Sequence, residues 1–240
     1  MELRPYQKEI VTQGVQVLQK HRFLYLAMEV RTGKTITSLC IAASIKPKHV
    51  LFITKKKAIS SIESDYNMGS FFYDIVVVNY ESLHKIPKKK YDVVICDEAH
   101  SMGAFPKPSK RAKQVKALLK LHNPYVILLS GTPTPESYSQ MYHQVYGIPT
   151  NPFSRYKNFY RFSDDHVHVE VKPIGVMYIR DYSGGLKSIL KSMKPYTISY
   201  TQKQAGFKVE TKEKVLEVLM AEKTYHLIKQ LKKNLVIQGR

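Results

Sequence analysis

Tryptophan is absent from this 240-residue chain, and Cys40 and Cys96 are its only cysteines. Two thiols far apart inside apolar segments form neither a disulfide framework nor a paired zinc-ligand spacing. We read them as buried free thiols of a reducing compartment, the cytoplasm. Missing too is any apolar run near the ~20 residues that span a bilayer, and the opening MELRPYQKEI lacks the apolar stretch of a secretory leader. A soluble globular protein is expected. Acidic residues are scarce, 19 Asp and Glu against 38 Lys and Arg, for a formal charge of +19. An excess of that size attracts polyanions, of which nucleic acid is the commonest. The 43% of hydrophobic residues suffices for one good core and a smaller appended unit.

What is present is organised around Phe23 to Thr35, FLYLAMEVRTGKT. An apolar run leads through Arg31-Thr32-Gly33 into Lys34, Thr35 and Ile36, and then into an apolar-periodic segment with Leu39, Cys40 and Ala43: strand, tight loop, helix. In such a loop the backbone N–H groups and the helix N-terminus face an anion. A Lys at its end reaches the outer phosphates, and the next hydroxyl ligates Mg²⁺. Residues 31 to 36 are therefore candidate nucleotide binders. The pattern G-x-x-x-x-G-K-[ST] is incomplete, because Met28 stands where the first Gly belongs.

Upstream, Pro5 suits the first turn of a helix carrying Ile10, Val11, Gly14, Val17 and Leu18. Downstream come four continuous apolar runs, Val50 to Ile53, Ile75 to Val78, Val93 to Cys96 and Val126 to Leu129. Continuous runs indicate strands covered on both faces. Helices are expected at about Lys56 to Tyr66, Glu81 to His84 and Pro108 to His122, giving an α/β fold with a parallel sheet. Each run ends in a polar cluster: Thr54-Lys55-Lys56, Asn79-Tyr80, Asp97-Glu98-Ala99-His100, Ser130-Gly131-Thr132-Pro133. In a parallel sheet these all fall on the carboxyl edge, where ligands bind. Asp97 is suited to hold Mg²⁺ and Glu98 to accept a proton from attacking water.

Gln7 in LRPYQ, RTGKT, FITKKK, DEAH at 97–100 and SGTP at 130–133 together resemble, in order and spacing, the motifs of superfamily 2 helicases and translocases. The likeness is greatest to the SWI/SNF-like branch with its phage and restriction-associated members, over residues 1–150. It implies a RecA-like P-loop lobe, with a smaller mixed appendage over 151–240 leading toward a second RecA-like lobe. By position it makes Gln7 the adenine reader and puts Lys34 on the phosphates and Thr35 and Asp97 on Mg²⁺. Glu98 becomes the catalytic base, His100, Ser130 and Thr132 the couplers to nucleic acid, and Thr54, Lys55 and Lys56 neighbours of its backbone. ATP and Mg²⁺ are the implied cofactors, and DNA is the implied polymer, in a bacterial or phage-infected cell. Many members have Gly where Arg31 stands, and a left-handed φ there would cost Arg about a kcal/mol. The arginine finger of the second lobe has no counterpart, so the chain reads as the N-terminal part of a longer protein. Two other readings stay open: a non-catalytic nucleic-acid-binding module with a degenerate loop, and a small-molecule kinase.

Residues 150–182 read as loop-rich. Their Phe153, Tyr156, Phe159, Tyr160 and Phe162, among cations, suit either base stacking or packing of the appendage. His166 and His168 fit a half-exposed strand better than a metal site with Asp164 and Asp165. Further helices are expected over Pro135 to Tyr146, Ser183 to Met193 and Lys214 to Leu235, and a strand over Tyr196 to Tyr200. In the basic segment Lys107 to Lys120, Ala112, Val115, Leu118 and Leu119 form an apolar face. Its cations are either a solvated face or a nucleic-acid contact, as are those of HKIPKKK at 84–90.

Overall fold

Strands without apolar alternation need cover on both faces, and here they have it. A computed structural model describes residues 2–174, 177–207 and 221–234. Helices and strands alternate from the start: α1 (Pro5–His21), β1 (Phe23–Met28), α2 (Lys34–Ser44), β2 (His49–Thr54), α3 (Ile59–Met68), β3 (Asp74–Asn79), β4 (Val93–Cys96), α4 (Lys110–His122) and β5 (Tyr125–Leu129). Then come α5 (Met141–Val145), α6 (Phe159–His166), β6 (Val167–Ile174), β7 (Met177–Gly185), α7 (Lys187–Met193) and β8 (Thr197–Tyr200). Six strands form one parallel sheet in the order β3-β2-β4-β5-β1-β8, and β6 and β7 form an antiparallel hairpin.

Alternate residues of the strands feed two cores. On one face Leu24, Leu26, Phe52, Ile95 and Ile127 pack with Ile10 and Leu18 of α1 and Leu39 and Ile41 of α2. Gly14 permits this approach, since a Cβ there would lie 2.5 Å from Ile41 Cδ1. On the other face Phe23, Tyr25, Leu51, Val94 and Leu128 meet Val115 and Leu119 of α4, then Tyr142, Phe153, Phe159 and Phe162. The apolar face expected for α4 is the buried one, Ala112, Val115, Leu118 and Leu119, and Ser109 caps the helix by accepting from the Ala112 N–H at 3.1 Å. Of its cations, Arg111 is bound to Glu81 (Nε to Oε1, 2.9 Å) and Lys116 lies over the Tyr146 ring at 3.6 Å, while Lys113 and Lys120 face solvent.

The region after 150 departs from the expectation. It holds α6, whose Asn158 cap accepts from the Arg161 N–H at 3.0 Å, and a hairpin whose second strand takes in Ser183–Gly185, so α7 begins only at Lys187. Gly184 and Gly185 permit that strand, since a Cβ on Gly184 would lie 2.3 Å from His168 O and one on Gly185 2.5 Å from Ser139 N. The helix expected over Pro135 to Tyr146 shrinks to a 3-10 turn at Tyr138–Gln140 followed by α5. The Glu81 segment is likewise a 3-10 turn, Tyr80–Lys85, and another, Lys56–Ala58, precedes α3. Cys96 is buried and Cys40 half-buried, both free. The chain divides into two compact units, Met1–Phe207 and Lys208–Arg240. Residues 151–207 thus share a unit with the sheet. In the second unit Glu222–Asn234 forms α8; the rest of the helical stretch expected from Lys214 lies outside the described residues.

Four of the five aromatics over 153–162 are core: Phe153, Tyr156, Phe159 and Phe162 are buried, and Tyr160 is 45% exposed. His143 and His166 lie among them, His143 Nε2 2.9 Å from Pro106 O and His166 between Tyr156 Oη (3.0 Å) and Ser188 Oγ (2.9 Å). Burial pushes both imidazoles below the usual histidine value of 6.5. A depressed folded pKa gives stability that is complete above the unfolded value and is lost as pH falls through the folded one. Stability should therefore decline as pH drops below 6.5, by on the order of 1 kcal/mol per pH unit for each histidine. Urea titrations across that window check this, and the His143→Gln/His166→Gln pair should flatten the slope.

Candidate nucleotide site

The loop after β1 ends at Gly33, whose φ of 79° is left-handed and which forms the N-terminal boundary of α2 without any side-chain cap. The first intrahelical bond is Thr37 N to Gly33 O at 3.1 Å, so the N–H groups of Lys34, Thr35 and Ile36 precede the ladder. No acidic residue occupies the first turn. Such a terminus carries partial positive charge and suits a phosphate. Thr32 is buried and folds back on the loop, its hydroxyl donating to Glu29 O at 2.7 Å.

Arg31 has φ 63° and is exposed. The position does take the left-handed conformation, which costs a non-glycine residue about 1–2 kcal/mol. Arg31→Gly relieves that strain but loosens the unfolded chain by about 0.4–1 kcal/mol, so a net gain near half to one kcal/mol in denaturant unfolding is expected. An unchanged or lowered midpoint would remove strain from the account.

The start of α1 is fastened to this loop. The Tyr6 hydroxyl donates to Thr32 O at 3.2 Å, and Gln7 is buried against Gly33, where a Cβ would lie 2.2 Å from its Nε2. Gln7 Oε1 accepts from the Arg4 N–H at 2.9 Å. A third segment arrives from far along the chain. The Glu29 N–H donates to Tyr200 O (3.0 Å), Glu29 Oε2 accepts from the Gln202 N–H (2.7 Å), and the Tyr6 and Tyr200 rings stack 4.7 Å apart. No local sequence pattern marks Gln202 or Tyr200, because their partners lie over 170 residues away.

The acidic pair follows β4. Asp97 Oδ2 accepts from the Thr54 hydroxyl at 2.9 Å, and its backbone carbonyl accepts from the Tyr80 hydroxyl at 2.7 Å. Burial pushes the Asp97 carboxyl above its usual 3.8. Thr54 opposes the shift, the Glu98 charge adds to it, and the Lys34 charge opposes it. Glu98, with φ 51°, meets Lys55 Nζ at 3.4 Å through Oε1 and His100 Nδ1 at 3.3 Å through Oε2. His100 Nδ1 also lies 2.9 Å from Ser130 Oγ, which accepts from the Thr132 N–H at 3.1 Å. Because β5 lies between β1 and β4, Ser130 and Thr132 fall between the GKT loop and the acidic pair. A cavity of about 440 Å³ opens here, lined by Glu29, Val30, Lys34, Lys55, Glu98, His100, Gly131, Thr132 and Gln202.

Thr54 needs correction as a candidate polymer contact: it is wholly buried and its hydroxyl is committed to Asp97. Lys55 faces Glu98, and Lys56 is exposed in the adjoining 3-10 turn. The residues present fit a magnesium nucleotide. The helix terminus is uncapped, Asp97 directly follows β4 with only Oδ2 taken by the Thr54 hydroxyl, and Mg²⁺ needs few protein oxygens when phosphates and water complete its shell.

The layered parallel sheet and the loop at its carboxyl edge define a P-loop architecture. The SNF2-related domain matches residues 34–238, and the chain belongs to that family. The Type III restriction enzyme res subunit matches residues 1–66. Among solved structures the chain is similar to the Sulfolobus solfataricus SWI2/SNF2 ATPase core in complex with dsDNA, at 16% identity and TM-score 0.64 over 86% of this chain and 46% of that one. The fold is therefore RecA-like, and the chain spans less than half the length of that relative. A partial likeness joins it to a nuclease-deletion mutant of the Type ISP restriction-modification enzyme LlaGI in complex with a DNA substrate mimic, at 17% identity and TM-score 0.41 over 56% of this chain and 18% of that one.

Proposed function

We propose that this chain is the ATP-binding lobe of a superfamily 2 DNA translocase or helicase, in which ATP hydrolysis drives movement on or remodelling of DNA. The observation that carries the reading is the convergence of Lys34, Glu98, His100 and Thr132 on one cavity at the sheet's carboxyl edge. In this reading the N–H groups of residues 34–36 and the Lys34 ammonium hold the β- and γ-phosphates, and Gln7 reads adenine. Thr35 and Asp97 hold Mg²⁺, which neutralises charge on the phosphates when bound. Glu98 orients the attacking water and takes its proton as the bond between the γ-phosphorus and ADP breaks. His100, Ser130 and Thr132 form a hydrogen-bonded chain leading from Glu98, suited to reporting the nucleotide state. The unit Met1–Phe207, whose sheet includes β8, acts as the lobe, and the chain after it as the connection toward a second RecA-like lobe, in cis or in trans, that supplies an arginine.

The excess of 38 basic over 19 acidic residues supports a polyanionic partner. The family and the DNA-bound relative favour DNA over RNA. The test is ATP turnover with and without single- and double-stranded DNA and RNA, alone and with the second lobe added, using Lys34→Ala as control. Turnover that DNA stimulates and Lys34→Ala abolishes supports the proposal. Turnover indifferent to Lys34→Ala sinks it. Binding to DNA should weaken steeply with salt, and a flat salt dependence would remove the phosphate contacts from the account.

A further inference from the structure

β2 and β4 are neighbours in parallel register, from Val50 opposite Val93 to Ile53 opposite Cys96. The next positions therefore meet one to one beyond the strands. Thr54 binds Asp97 through its hydroxyl, and Lys55 binds Glu98 through its ammonium. Two consecutive residues of one strand end thus each hold one of two consecutive carboxylates. The two contacts differ in kind. Thr54 is buried and its bond belongs to the interior, whereas the side chains of Lys55 and Glu98 are 53% and 33% exposed. Lys55 also opens a run of three lysines, all facing solvent at the sheet's carboxyl edge.

We propose that Lys55 is a positioning residue that restrains Glu98, and that the phosphates of a nucleic-acid backbone release this carboxylate by taking the ammonium. The inference rests on the reading of Glu98 as the group that accepts the proton from water. A carboxylate turned toward an ammonium on one oxygen and an imidazole on the other has both oxygens engaged. It presents neither freely to a water in the cavity beside Lys34. A half-exposed ion pair is weak, so a polymer that offers many phosphates to Lys55, Lys56 and Lys57 together can displace it. His100 remains on Glu98 when Lys55 leaves, so the released carboxylate keeps one orienting partner. The polymer that the enzyme works on thereby switches on ATP hydrolysis, through one side chain that touches both the polymer and Glu98.

The experiment compares Lys55→Met and Lys55→Arg with the parent chain, supplied with the second lobe, at zero and saturating duplex DNA. Loss of the restraint should raise the unstimulated kcat of Lys55→Met by about fivefold, the most that a half-exposed pair holds back, and shrink the stimulation ratio by the same factor. Lys55→Arg should keep the parent's ratio. An unstimulated kcat at or below the parent's, with only more DNA needed for half-stimulation, would make Lys55 a plain polymer contact and overturn the proposal. A second readout does not depend on turnover. The Lys55 ammonium ¹⁵N resonance should move in Glu98→Gln and move again when duplex DNA is added to the parent. A resonance indifferent to Glu98→Gln overturns the restraint even if ATP is hydrolysed, and a responsive one upholds it even if no turnover is found and the proposed function fails.

Discussion

Glu98→Gln should bind nucleotide as the parent chain does and turn it over about 10²–10⁴-fold more slowly, the usual contribution of a placed general base. The substitution keeps the shape of the side chain and its reach toward His100, but removes the site that takes the proton. Phosphoryl transfer depends mostly on positioning and charge, so the lobe should still gather the phosphates on the uncapped start of α2. Equilibrium binding of a fluorescent nucleotide separates the two effects, with phosphate release measuring turnover. Turnover within a few-fold of the parent would mean that another group handles the proton. Weakened binding with proportional loss of turnover would instead make Glu98 part of the phosphate cradle.

Phe162→Ala should cost about 3–5 kcal/mol, the usual penalty for emptying a buried phenyl site. Phe162 is wholly buried, and its ring centre lies 4.7 Å from Tyr142, 4.9 Å from Phe153 and 5.0 Å from His166. A domain of ordinary stability has only about 5–15 kcal/mol to lose, so the variant should unfold at a much lower urea concentration. Tyr160→Ala, at an exposed site, should shift the midpoint little. The pair separates packing from base stacking: an aromatic that served the polymer would lower DNA affinity and leave the urea midpoint alone.

These two residues show how unevenly the chain can be read. The position of Glu98 at the sheet's carboxyl edge was legible because it closes an apolar run, in order with RTGKT and SGTP. The five strands were legible for a similar reason: runs such as Val50 to Ile53 leave no polar face for water. Phe162 was ambiguous because aromatics among cations serve cores and polymers alike. Its helix did carry a signal in the Asn158 cap and the spacing of Phe159, Phe162 and His166, but one of only eight residues is easily taken for loop. Thr54 was misread because its partner is set by strand order: only the adjacency of β2 and β4 brings it to Asp97. The same limit hid Gln202, whose contact with Glu29 follows from β8 pairing beside β1.

That last pairing has a mechanical side. β8 lies parallel to β1 from Tyr25 opposite Thr197 to Met28 opposite Tyr200, so a pull along the strands on the chain after residue 207 loads these rungs together in shear. The next bonds along that line of force join Gln202 to Glu29 and Val30, the first residues of the phosphate loop. Tension arriving from that side strains the loop before it strains the core. In the ATP-binding lobe proposed above, load from that side would reach Glu29 and Val30, at the start of the loop, first.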